Sequence, residues 1–186
     1  MIKINKLKTN LKGQQVSTNS SNRGRQVEHI MKAQGFDINP GAGPDLQFGD
    51  TPVEIKSRDN NATSPQTVGA MTLDDIKSTV YEDSAIFKKF QQQYRVKTEE
   101  GVVVEEHMYD FSGWFAQSVI KESYETARQA IINGACGDYI PGGTYGYFER
   151  TNKNSKTSYN FRLSDSAMKK LESMANSTID QLFEIK

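Results

Sequence analysis

Cysteine is nearly absent: Cys136 is the only one in the chain. An intramolecular disulfide is thereby excluded, and so is any zinc site built on paired cysteines. Long apolar runs are missing as well, and no signal-peptide pattern opens the chain, so a soluble cytoplasmic protein without a membrane partner is the expectation. The glycines between 134 and 146 lack a Gly-Lys-Ser/Thr ending and a dinucleotide spacing, which removes a nucleotide cofactor from consideration. Internal repeats and interdomain linkers are not visible. The 186 residues therefore read as one domain over 21–186, preceded by a flexible arm over 1–20 that is rich in Lys, Asn, Ser and Gln.

Net charge is lacking too, with 23 basic residues against 23 acidic ones. Its distribution is uneven. Residues 1–32 carry seven Lys/Arg and one acid, residues 150–170 carry six and one, and residues 74–110 carry five and nine. Local basic patches of this kind are what a polyanion meets, whatever the global balance.

What is present centres on residues 43–56, Gly-Pro-Asp-Leu-Gln-Phe-Gly-Asp-Thr-Pro-Val-Glu-Ile-Lys. Asp45 opens a short apolar run, Gly49-Asp50 supplies a turn, and residues 53–56 alternate as a strand. Alternation puts Val53 and Ile55 on one face and Glu54 and Lys56 on the other. Two carboxylates and a lysine then share the end of a hairpin. Mg²⁺ takes hard oxygen ligands and needs only one or two protein carboxylates, with Mn²⁺ as an alternative. A neighbouring ammonium can orient the attacking water and offset phosphate charge. The same trio on a hairpin is also a common solvated face, and the upstream segment 25–31 tips the balance because it brings Glu28 on a helix.

The remaining pattern fills out an α/β chain. A helix is expected over 22–34, capped from Ser20, Ser21 or Asn22, with Val27, Ile30 and Met31 on one stripe. A short strand is expected over 36–38 and a polar loop over 57–69. Short helices follow from Thr72 and over 82–90. A hairpin joins 93–97 to 102–110, and the longest periodic segment, 111–132, reads as an amphipathic helix. A second hairpin joins 147–150 to 157–163, Ser164 caps a helix to about residue 176, and 179–185 closes as a strand. His29 and His107 read as structural or surface groups rather than ligands.

A helix bearing Glu28 followed by Pro44-Asp45 and Glu54-Ile55-Lys56 resembles the PD-(D/E)xK nuclease superfamily. Further stretches are similar, in order, to the MutH-type family of GATC-cleaving endonucleases: Gly24-Arg25-Gln26-Val27-Glu28, the segment from Tyr81 to Phe90, the helix around Ile120-Lys121-Glu122, Tyr147-Phe148-Glu149-Arg150, and Tyr159-Asn160-Phe161-Arg162. The resemblance implies a restriction-endonuclease-like mixed sheet flanked by the Glu28 helix and the 111–132 helix. It implies Mg²⁺-dependent, sequence-specific cleavage of double-stranded DNA. Asp45 and Glu54 would hold the metal, Glu28 would support it, Lys56 would act on the water, and Lys89 would assist, with Lys88 one position away. Arg150, Lys153, Lys156, Tyr159 and Arg162 would contact DNA, Arg150 reading bases.

Two departures limit the transfer. Ser20 stands at the spacing of a family lysine, and Arg150-Thr151-Asn152 replaces a family Arg-Pro-Lys triplet, so GATC recognition does not carry over. A structure-selective nuclease such as a junction resolvase, and a non-catalytic DNA-binding protein on the same fold, are the rival readings. Monomer and homodimer are both open.

Overall fold

The computed structural model describes residues 10–41, 43–48, 50–151 and 158–177. The fold is α/β, with two sheets and five α-helices among the described residues, which divide into two compact units. Of the described residues, unit 1 takes those between 10 and 62, then 91–110, then 176–177, and unit 2 takes 63–90 and those between 111 and 175.

Unit 1 holds helix α1 (Ser20–Ala33) and a five-stranded sheet in the order β1-β2-β4-β5-β9. Its strands are β1 (Leu46–Phe48), β2 (Thr51–Asp59), β4 (Gln92–Glu99), β5 (Val102–Asp110) and β9 (Asn176–Ser177). β1 and β2 form the expected hairpin, with Leu46 opposite Val53 and Phe48 opposite Thr51. β2 and β4 are parallel, so a crossover must separate them, and residues 63–90 supply it. β4 and β5 pair antiparallel across the turn at Glu100-Gly101.

α1 is capped by Asn19, whose side chain accepts from the Ser21 and Asn22 amides, one residue earlier than expected. Val27 and Met31 face inward and join Leu46, Val53, Ile55, Tyr94, Val96, Val103 and Met108 in one core. The expected strand over 36–38 is irregular instead, with Phe36 and Ile38 adding to that core.

The expected flexible arm is, from Leu11 on, part of unit 1. Leu11 and Val16 are buried in the core. Gly13 N–H donates to the Val103 carbonyl at 2.8 Å, Val103 N–H to the Gln14 carbonyl at 3.0 Å, and Val16 N–H to the Gly101 carbonyl at 2.6 Å. Gly101 is required there: its φ is +79°, and a Cβ would stand 2.6 Å from the Val16 carbonyl oxygen.

Unit 2 is built on an antiparallel sheet, β3-β8-β7-β6, comprising β3 (Gln66–Thr72), β6 (Tyr139–Pro141), β7 (Gly146–Thr151) and β8 (Ser158–Leu163). Its helices are α2 (Leu73–Ser78), α3 (Ala85–Lys89), α4 (Trp114–Ile132) and α5 (Asp165–Met174). The expected loop over 57–69 is mostly strand, because β2 runs on to Asp59 and β3 begins at Gln66. The expected helix over 82–90 splits into a 3-10 turn, Tyr81–Asp83, and α3, which Ser84 caps through the Phe87 amide. The expected 111–132 helix exists as α4, but it packs on β6 and β7 of unit 2. The expected strand over 179–185 lies outside the described residues.

Aromatic rings dominate the interior of unit 2. Phe148 and Phe161 lie 5.0 Å apart by ring centroid, and Tyr124 stands edge-on to Phe148 at 5.8 Å. Tyr124 donates its hydroxyl to the Thr79 carbonyl at 2.8 Å, and Tyr81 donates to Gln117 Oε1 at 2.7 Å. Burial pushes the Tyr124 phenol up to about 12 and also raises Tyr81, so both remain neutral donors.

Candidate active site

Asp45 lies one residue before β1, and the hairpin register carries it level with Glu54 on β2. Its Oδ2 accepts a hydrogen bond from the Ile55 backbone amide at 2.8 Å, which holds the carboxylate against the β2 backbone. Glu54 is buried, at 4 % exposure, rather than standing on a solvated face. Its Oε1 accepts from Lys56 Nζ at 2.9 Å, the contact expected of side chains two apart on one face of a strand. Lys56 itself is half-buried. A solvated hairpin face does not bury a glutamate beside its lysine, so Glu54 and Lys56 form a partly buried ion pair rather than a solvated surface.

Glu28 enters from α1, which packs on β2. Gly24, one turn earlier, faces Ser57 of β2, whose Oγ would lie in ordinary contact, 3.8 Å, from a Cβ added there. Burial raises the Glu28 carboxyl above its ordinary value, and the charges of Asp45 and Glu54 raise it further, while Lys56 and Arg25 act in the opposite sense. The charges of Asp45 and Glu54 therefore repel the ionised Glu28 carboxylate. A bound cation relieves that repulsion.

The donor chemistry fits a hard divalent ion. Among the described residues no group of three His, Cys, Asp or Glu is placed to hold a metal. Asp45 and Glu54 are thus the pair to consider as ligands, with Glu28 as adjacent charge. Two carboxylates suffice for Mg²⁺, which keeps several of its waters.

The neighbouring strand adds residues that sequence reasoning did not select. In the β2–β4 register, Glu54 stands beside Gln93 and Lys56 beside Arg95. Gln93 and Arg95 are both buried, and Arg95 Nη1 donates to Gln93 Oε1 at 2.8 Å. Glu54, Lys56, Gln93 and Arg95 make a polar row through a sheet whose alternate positions are Val53, Ile55, Tyr94 and Val96. The only sequence signal was the Gln-x-Arg alternation against Tyr-x-Val, which reads equally well as a polar strand entry.

Of the other expected site residues, Lys89, Arg150, Tyr159 and Arg162 lie in unit 2. Lys89 closes α3 with its aliphatic stem across Gly69, where a Cβ would meet the lysine Cδ at 3.0 Å. Arg150 is engaged by the loop before β6: Nη2 donates to the Cys136 carbonyl at 2.7 Å, and Nε lies 3.5 Å from Asp138 Oδ1. Tyr159 corrects the expectation of a DNA contact. Its ring is fully buried, and its hydroxyl donates toward the Cys136 and Gly137 carbonyls at 3.0 and 2.8 Å. An aromatic anchor of that kind holds the loop from inside. Arg162 is half-buried, with Nε 2.6 Å from Glu149 Oε2. Lys153 and Lys156 lie outside the described residues.

No family model matches the chain, and no curated protein matches it.

Proposed function

We propose that this protein is a Mg²⁺-dependent endonuclease that hydrolyses phosphodiester bonds in double-stranded DNA at specific sequences, on a PD-(D/E)xK-type site. The observation that carries the reading is the coupling of Asp45, Glu54 and Glu28 around Lys56, with Glu54 buried and paired to the lysine at 2.9 Å. Cationic and anionic groups are thereby held together where an isolated buried carboxylate would be costly.

Asp45 and Glu54 would hold the ion, and the ion would supply Lewis acidity toward a phosphoryl oxygen and a lowered pKa for bound water. Lys56 carries its ammonium beside Glu54, where it orients a water and offsets charge developing on the phosphate. Glu28, with its raised affinity for a proton, is suited to take up a proton near the attacking water. No side chain need act as a nucleophile. Sequence reading requires side chains that reach base edges, because phosphate contacts carry no sequence information. Arg150 on β7 remains our choice for that role, acting from a guanidinium already braced by the Cys136 carbonyl.

The test is plasmid cleavage with Mg²⁺, with the product ends sequenced. Asp45→Asn and Glu54→Gln are each expected to reduce cleavage by orders of magnitude while duplex binding persists. Lys56→Met, which keeps the stem and removes the ammonium, is expected to slow single-turnover cleavage at saturating enzyme. Full activity in either carboxylate variant would remove the basis of the assignment.

A further inference from the structure

The polar row beside the candidate site repeats one construction on two strands. β2 and β4 run parallel, and their register sets Glu54 level with Gln93 and Lys56 level with Arg95. Neighbouring strands lie about 4.8 Å apart, so level side chains on one face are neighbours. On β2 the Lys56 ammonium donates back two residues to Glu54 Oε1 at 2.9 Å. On β4 Arg95 Nη1 donates back two residues to Gln93 Oε1 at 2.8 Å. The two pairs therefore lie side by side and lean the same way. Arginine offers only donors, so the Gln93 oxygen faces it and the amide NH2 stays a donor end. On its other side Gln93 stands level with the buried Tyr109 of β5, so it is flanked within the row by two residues.

We infer that Gln93 and Arg95 are positioning residues for the Glu54 carboxylate, and through it for the divalent ion, an inference that rests on the nuclease reading above. Gln93 is 1 % exposed and Arg95 6 %, so neither is open to DNA, whereas Lys56 keeps the more accessible place in the row. Arg95 locks the Gln93 amide, and the locked amide limits how far the neighbouring Glu54 side chain can swing. Mg²⁺ demands near-ideal octahedral geometry, so a carboxylate that swings is a weaker ligand. Residue type matters at position 93. Gln93→Glu would set a like charge level with Glu54, whereas the native amide accepts from Arg95 without one. Apolar side chains would meet burial at both positions without a desolvation cost, so packing alone does not call for an amide–guanidinium pair.

The experiment titrates the metal-free full chain with Mn²⁺ by calorimetry in the absence of DNA, then measures single-turnover cleavage across a Mg²⁺ series. Gln93→Leu keeps most of the volume and removes the amide, and is expected to raise the Mn²⁺ dissociation constant about 10–100-fold. Its cleavage should need correspondingly more Mg²⁺, while its duplex affinity in EDTA should match the wild type. Arg95→Met is expected to act in the same direction. Added to Gln93→Leu it should change little more, because Arg95 acts through Gln93. Arg95→Lys restores a donor and should fall between the wild type and Arg95→Met. Denaturation curves identify the folded variants, and Gln93→Asn, which draws the amide back by one methylene, replaces Gln93→Leu if that variant does not fold. Wild-type ion affinity in the folded variants would overturn the assignment, and so would additive losses, which mark two separate packing roles. The cleavage reading fails separately. A protein that binds the ion in a Gln93-dependent way yet cuts nothing keeps the positioning pair and loses the nuclease, and a wild type that binds no ion overturns both.

Discussion

The two units of this chain handle buried polarity in opposite ways. Unit 2 buries tyrosines and gives each hydroxyl a nearby backbone or side-chain acceptor, so its interior is an aromatic core with satisfied tips. Unit 1 buries Glu54 beside Gln93 and places Lys56 beside the buried Arg95, and adds a half-buried Glu28 whose ionisation burial and the charges of Asp45 and Glu54 oppose. A tyrosine keeps most of its area apolar, and its one hydroxyl is easily paired. Carboxylates gathered together remain mutually repulsive until a cation or proton arrives. The first arrangement favours stability, whereas the second favours binding and chemistry.

That contrast can be tested from the unit 2 side with the larger effect. Phe148→Ala removes a fully buried ring packed between Tyr124 and Phe161, and is expected to destabilise the protein by about 3–5 kcal/mol. Chemical denaturation measures it, and a loss below about 1 kcal/mol would show that the aromatic cluster is not the core it resembles.

A smaller loss is expected from Tyr159→Phe. The ring stays, but the hydroxyl bonded to the Cys136 and Gly137 carbonyls goes, at a cost of about 1 kcal/mol. Hydrogen exchange at 136–138 should rise in this variant while exchange in α1 and β2 does not change. Equal acceleration in both regions would mean that the hydroxyl supports more than its own loop.

The subtlest effect belongs to Glu28. A carboxyl whose folded-state pKa is raised holds its proton more tightly in the folded state than in the unfolded one. Stability is therefore lost as pH rises from the ordinary carboxylate value through the raised folded value, and the loss is complete above it. Glu28→Gln removes this penalty. Without divalent cations the variant should melt higher than the wild type at neutral pH, and the two curves should converge in acid. Parallel curves across the whole range would show that neither burial nor the charges of Asp45 and Glu54 raise Glu28.

The candidate site was largely legible in the residue order because its central motif is local. Asp45, Glu54 and Lys56 fall within one hairpin, where turn chemistry and period-two alternation are enough to bring them together. The same applies to α1, to the β4–β5 hairpin and to the capped start of α5, each of which is specified by its own neighbours. Tertiary structure alone decided the features that depend on distant partners. Gln93 and Arg95 join Glu54 and Lys56 through parallel pairing across a crossover of some thirty residues, and no local pattern encodes that register. β3 carries the β-branched Thr67, Val68 and Thr72, but Gly69 and Ala70 interrupt them, and β8 completes the ladder that fixes it as a strand. The segment holding Leu11 and Val16 is fixed by backbone bonds of Gly13, Gln14 and Val16 to Val103 and Gly101, nearly ninety residues away. Tyr159 has the same composition cues as a surface aromatic, and only the fold turns its ring inward and puts its hydroxyl against a loop. Local order prescribes what a few turns of chain can reach; burial and long-range hydrogen bonding are properties of the assembled fold.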